Sequence, residues 1–205
     1  MDNAAPSGAD RYRGSLREAA CWHLLSLLFA PPRDDWPGIL PPLADEMDDA
    51  DLAQAAHLAV RQADVGWYHS TFGPGGPVSL REVAYRRTIM PATILAELQA
   101  CYEAFAYRPQ IAEPPDHIAV ESGFVAFLWL KHAYAMALDD TERAELARRI
   151  AQRFVAEHIA PMAQALASLL AGSAVDYLVS ASAWLARRAG YPQADIVAPR
   201  PPASA

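Results

Sequence analysis

The sequence predicts an all-α protein, a single globular bundle of roughly seven to nine helices. Three observations carry that expectation. Apolar residues recur at intervals of three and four along most of the chain, the spacing that gathers them on one helix face. No run alternates apolar and polar residues between turn signals, as a half-buried strand would. Caps and prolines fall at the ends of the periodic runs, where helices start and stop.

Taken in order, residues 1–14 are small and polar and read as a flexible N-terminal tail. Ser15-Leu16-Arg17-Glu18 fits a capping box, with Leu16, Ala20, His23, Leu24, Leu27 and Leu28 following at helical spacing until Pro31-Pro32. Asp35-Trp36-Pro37 starts a short second helix that Pro41-Pro42 should limit. Residues 50–64 form a third, with Leu52, Ala56, Leu58 and Ala59 towards the core. Residues 65–80 read as an irregular segment, three aromatics (Trp67, Tyr68, Phe72) beside a Gly73-Pro74-Gly75-Gly76-Pro77 loop. That segment is either a connecting loop with an aromatic anchor or the wall of an apolar groove. No lysine and Ser/Thr follow the glycines, as a phosphate-binding P-loop requires.

Helix resumes over residues 81–105, with Met90, Ile94, Leu98 and Tyr102 in one stripe and Pro91 marking a kink or restart. After a Pro-rich loop, the central helix runs over 116–138 and is apolar on nearly all sides, so other helices must surround it. Asp139-Asp140-Thr141 ends it and caps the next, in which Leu146, Ile150 and Phe154 repeat. Pro161 should break that helix after His158, with Met162, Leu166, Leu169 and Leu170 continuing. Ser173 and Asp176 start the last helix, which buries Tyr177, Leu178, Ala181, Trp184 and Leu185 and ends at Gly190. The expected organisation is thus a tail over 1–14, one helical domain over 15–190, and a flexible Pro/Ala-rich tail over 191–205.

At 205 residues, 53% hydrophobic and 20% charged, the chain is long and apolar enough for a substantial core. Its net charge of -7 comes without the basic stripe of a duplex-binding protein, so no nucleic-acid partner is expected. Cys21 and Cys101 stand far apart in apolar helical surroundings, outside any CxxC, and are expected as two buried free thiols. The apolar run 21–30 is interrupted by His23 and lacks a cleavage site, and no run reaches the ~18–20 residues that span a bilayer. A cytoplasmic protein without stable membrane insertion is expected.

Catalytic chemistry finds little support. His117-x-x-x-Glu121 puts two ligand types on one helix face near Glu113, but a di-iron bundle needs Glu-x-x-His pairs, and none occurs. No GxSxG is present. Neither a metal, a cofactor nor enzymatic turnover is expected, and a helical metal-dependent enzyme is a distant alternative. Asp116 has two readings. It is a good N-cap, worth ~1 kcal/mol, which would leave His117 partly exposed in the first turn. It is also a carboxylate that could accept from an arginine beside an apolar cleft, with His117 holding a peptide carbonyl.

At this junction the sequence resembles a known family. Glu113-Pro114-Pro115-Asp116-His117-Ile118-Ala119-Val120-Glu121, followed by Phe124 and Leu128, is similar to the E-x-P-D-H signature of the TorD/DmsD/NarJ chaperones, the redox-enzyme maturation proteins. Tyr68-x-x-x-Phe72-Gly73-Pro74 with Arg81-Glu82-Val83-Ala84-Tyr85 resembles the family's upstream segment, and Phe154-Val155-Ala156-Glu157-His158-Ile159 its later F-x-x-x-H-L segment. Met162 stands where a tryptophan is common, and Val83-Ala84 where a serine is usual.

The resemblance implies a cytoplasmic, TorD-like chaperone without turnover. It implies binding to the apo-form catalytic subunit of a molybdopterin-dependent oxidoreductase, through its twin-arginine signal peptide, its folding intermediate, or both, before export. Molybdenum cofactor biosynthesis proteins are further implied partners, and the state implied is a monomer or a helix-swapped homodimer. A client of the dimethylsulfide or ethylbenzene dehydrogenase type is the first expectation. The alternative is a NarJ-like assembly chaperone for a non-exported nitrate-reductase-type subunit. Carried over by motif, Asp116 and His117 are the first peptide-binding candidates, with Pro115, Glu113 and Glu121 beside them. Trp67, Tyr68, Phe72, Tyr85 and Phe124 are expected to line the groove.

Overall fold

The computed structural model describes residues 8–190. Nine α-helices follow one another in that span: α1 (Gly8–Leu28), α2 (Trp36–Asp45), α3 (Ala50–Gln62), α4 (Val65–Phe72), α5 (Pro91–Ala104), α6 (Ile118–Ala137), α7 (Thr141–Phe154), α8 (Ala160–Leu170) and α9 (Asp176–Gly190). A 3₁₀ turn at Glu82–Ala84 precedes α5, and a π-helical turn at Val155–Ile159 joins α7 to α8. The only strand-like pairing among the described residues is one antiparallel bridge between Arg81 and His117. The all-α bundle expected from periodicity is the observed fold.

Helix α6 lies along α1 and against α7, while α9 packs on α3 and α8, and α2 on α3. Pairs of large aromatics tie α1 and α2 to α9. Trp22 of α1 meets Trp184 of α9 edge-on at 5.4 Å, and Trp36 of α2 meets Tyr177 at 6.3 Å. All four rings are buried. Each such ring removes enough apolar surface from water to stabilise the fold by about 2–3 kcal/mol.

Four local expectations need correction. Helix α1 begins at Gly8 rather than Ser15, so residues 8–14 are helical. Ser15 lies inside that helix rather than at its cap; its Oγ is 2.6 Å from His132 Nδ1 on α6, a tertiary contact that a capping-box pattern does not foresee. The remainder of the expected tails, 1–7 and 191–205, lies outside the described residues. Pro41 and Pro42 sit inside α2 rather than limiting it. They remove backbone hydrogen bonds, and the burial of Trp36, Leu40 and Ala44 offsets that loss.

Residues 65–72 are helical rather than irregular, because Asp64 Oδ1 accepts from Trp67 N at 2.6 Å and so caps α4. The loop that follows does need its glycines. Gly75 has φ +84°, and a Cβ on Gly76 would sit 2.3 Å from the Thr71 carbonyl oxygen. Residues 81–90 are not a regular helix. The backbone at Arg81 is tied into the bridge with His117, which leaves only the 3₁₀ turn before Pro91 opens α5.

Both cysteines are free and half-buried rather than buried. Among the described residues, no helix is long and apolar enough to cross a membrane.

Candidate functional site

The site is the place where the chain enters α6. The extended stretch before the 3₁₀ turn runs beside residues 116–118. Ile118 N donates to Leu80 O at 2.8 Å, and Glu82 N donates to Asp116 O at 2.8 Å. The first of these satisfies one of the amide groups that a helix start leaves without an internal partner. His117 N donates to Pro114 O at 3.0 Å, and Tyr102 OH donates to Pro115 O at 2.8 Å. The Pro114-Pro115 turn is therefore fixed from both sides.

The cap is His117, not Asp116. Ala119 N donates to His117 Nδ1 at 3.2 Å, so the ring proton sits on Nε2. Burial lowers the His117 pKa to about 4, against an opposing pull from Asp116. The neutral ring is what the cap needs, because a protonated Nδ1 cannot accept. His117 is buried, not partly exposed in a first turn.

Asp116 is spared capping because an arginine claims it. Arg81 Nη2 donates to Asp116 Oδ1 at 2.8 Å, and Arg81 Nε lies 2.9 and 3.2 Å from Oδ1 and Oδ2. Val83 N adds a long contact to Oδ2 at 3.4 Å. Planar guanidinium against carboxylate is the strongest ordinary side-chain pairing.

One turn along α6, Glu121 is also fully buried, and neither of its oxygens makes a hydrogen bond in the geometry of the structure. Burial first, then the neighbouring Glu82 and Asp116 carboxylates, push its pKa well above the usual range. Two carboxyl groups buried together favour one of them neutral. Glu82 itself is better supplied. Arg86 Nη1 donates to its Oε1, and His158 Nδ1 lies 3.1 Å from its Oε2.

His158 reaches Glu82 because the helix at 155–159 is π-helical. The extra residue per turn lets Glu157 stay exposed and paired with Arg153 at 2.8 Å, while His158 turns inward. Such single π turns recur at functional positions. Arg86 spans the same region, donating also to Glu157 O at 3.2 Å.

Arg86 and His158 also form one wall of a cleft of about 620 Å³, whose apolar side is Ala100, Cys101, Ile150 and Phe154. The volume is in the range of ligand-sized sites. Three stretches far apart in sequence, 81–86, 113–121 and 154–158, thus meet in one polar junction beside one cleft.

The structure sorts the expected residues into two groups. Glu113, Pro115, Trp67, Phe72 and Tyr85 are half-buried and reach the surface. Burial raises the pKa of Glu113, with His69 and Arg81 pulling it back, so these three share one neighbourhood. Trp67 and Phe72 meet edge-on at 5.8 Å, and Tyr85 OH donates to Ser79 O at 2.6 Å. Asp116, His117, Glu121, Tyr68 and Phe124 are buried.

Phe124 is the centre of an aromatic cluster, 4.8 Å from Phe154 and 4.9 Å from Tyr102. Tyr68 donates to the buried Phe29 carbonyl at 3.0 Å. Both are core for the same reason, a ring on the inward face of its helix.

Arg81, Glu82, Arg86 and His158 were not among the expected site residues. The available signal was their position inside the segments that flank the junction. Charged residues next to buried aliphatics, such as Glu82 after Leu80, are candidates for buried pairs. Among the described residues, no group of three or more His, Cys, Asp or Glu is placed to hold a metal ion.

A family model described as nitrate reductase delta subunit matches residues 40–168. That span runs from α2 into α8 and contains every residue of the junction. No curated protein matches the chain.

Proposed function

From its place in the nitrate reductase delta subunit family of redox-enzyme maturation chaperones, to which the chain belongs, we propose that it binds the N-terminal twin-arginine segment of a molybdoenzyme catalytic subunit and holds the precursor until its cofactor is inserted. The observation that carries this reading is the convergence of three distant segments on a buried charged junction beside an apolar cleft. A twin-arginine segment is basic and then apolar. Its receptor needs acceptors for guanidinium groups next to an apolar surface.

In this proposal the partly exposed Glu113, Pro115, Trp67, Phe72 and Tyr85 touch the client. Beneath them lie Asp116, covered by the partly exposed Arg81, and the buried His117 and Glu121. The apolar part of the client continues into the cleft over Ile150 and Phe154. Action takes place in the cytoplasm, before export, through one helical domain, as a monomer or a helix-swapped dimer.

A second reading is favoured by the description of the matching family. There the client is a nitrate-reductase-type subunit that is not exported, and its recognised segment lacks the arginine pair.

Titration with the N-terminal peptide of a molybdoenzyme subunit encoded nearby separates the two. The first reading expects saturable binding that is lost when Arg-Arg is replaced by Lys-Lys, because Lys cannot make the bidentate contact. Equal binding of both peptides moves the conclusion to the second reading. Absence of binding by any such segment contradicts both.

A further inference from the structure

The Arg81–Asp116 pair is unequally buried. The Asp116 side chain is 0% exposed, while the Arg81 side chain keeps 41% of its surface in water. A buried carboxylate is thus covered by a cation that itself lies at the surface. The backbone does not depend on that guanidinium. The bridge that holds the segment is made by Leu80 O and Glu82 N, with Ile118 N and Asp116 O opposite. Arg81 can therefore swing outward while its main chain stays in place.

The neighbouring carboxylate differs. Glu82 is held by two side chains, Arg86 and the buried His158. Arg86 is also anchored to Glu157 O. Neither partner of Glu82 is free to leave alone. Asp116 has one side-chain partner, and that partner is exchangeable.

We propose that Arg81 is the built-in occupant of a guanidinium-binding site whose acceptor is Asp116, and that an arginine of the client binds by displacing it. The identity of the incoming arginine rests on the function proposed above; the guanidinium site does not. The exchange replaces one planar bidentate donor with another, so no unpaired buried charge is left at its end. A site occupied internally binds its ligand more weakly by the fraction of time that it is open. Arg81 thereby sets a threshold against stray arginines and releases it to a segment that also fills the cleft.

The test uses the full chain with Arg81→Ala and Arg81→Lys. Thermal melting is followed in about 20 mM methylguanidinium chloride and in the same concentration of sodium chloride, since a ligand that binds only the folded state raises its melting temperature. Arg81→Ala should melt below wild type in sodium chloride and recover in methylguanidinium. Wild type should melt alike in both salts. Arg81→Lys keeps the charge but not the fork, so it folds and is displaced more readily. It should bind an arginine-bearing client peptide about tenfold more tightly than wild type.

If methylguanidinium rescues Arg81→Ala but no variant binds the peptide, the site stands and the proposed client fails. If wild type binds the peptide and Arg81→Lys binds it no better, the client stands and the displacement is wrong. Equal melting of both variants in the two salts overturns the guanidinium site. Should Arg81→Ala fail to fold in sodium chloride, the melting and binding of Arg81→Lys decide.

Discussion

The two ends of α6 invert the usual rule of burial. At its start, Asp116, His117 and Glu121 are ionisable and buried. Towards its end, Leu130, Tyr134 and Leu138 are apolar and 50%, 69% and 59% exposed. The first end is held by partners from three separate segments, the second mainly by its own helix and by α1 and α7. Buried polar groups survive only where something pairs or neutralises them, whereas a few exposed apolar side chains on a helix face cost little. The start of α6 therefore carries both the specificity of the fold and its vulnerability.

The largest expected effect comes from breaking the Asp116 pair, and it depends on which partner is removed. Arg81→Ala leaves a buried carboxylate unpaired and should cost about 3–5 kcal/mol of stability. Asp116→Ala leaves an arginine that can turn to water and should cost about 2 kcal/mol. Chemical denaturation of both variants checks the order; equal losses would mean that the Arg81 side chain is held in place no less firmly than that of Asp116.

Acid should act through His117. Its folded pKa of about 4 lies below the ordinary value of 6.5, so its contribution is present above pH 6.5 and is lost as pH falls through 4. At pH 4 that loss is about 3 kcal/mol. His117→Asn keeps a capping oxygen without the titration. It should narrow the difference in stability between pH 7 and pH 4.

Glu121 should act in the opposite sense. Its folded pKa is raised, so its contribution is present below the unfolded value and is lost as pH rises through the folded one. Glu121→Gln should be within about 1 kcal/mol of wild type at neutral pH, and should gain on wild type as pH rises. Melting curves from pH 5 to 9 give the comparison. A Gln variant that loses ground with rising pH would mean that Glu121 is ionised and paired in solution.

The smallest effect belongs to the other end of the helix. Tyr134→Ser should change stability by no more than about 0.5 kcal/mol. A larger loss would show that the exposed stripe is covered in solution.

Much of this was legible in the sequence, and the failures have more than one cause. Helix existence followed from apolar spacing, because the core needs those faces whatever the connections do. At Pro41-Pro42 the burial of Trp36, Leu40 and Ala44 outweighed a local signal, whereas residues 65–72 turned on a local cap at Asp64. At the junction, motif position pointed to Asp116 and His117, but the cap is His117 and the arginine that Asp116 accepts from is the chain's own Arg81. A capping aspartate and a salt-bridged one look alike until the arginine 35 residues earlier is placed beside it. The pairing of Glu82 with His158 was still less accessible, because it depends on a π turn that no short-range pattern marks.

Hydrogen exchange of the full chain with and without the client's N-terminal peptide is the most direct test of the junction as the binding edge. Slowed exchange should concentrate in 67–85, 113–121 and 153–158, the stretches that meet around Asp116 and the cleft, with 130–138 unchanged. Protection confined to 130–138, with the junction unaffected, would contradict it.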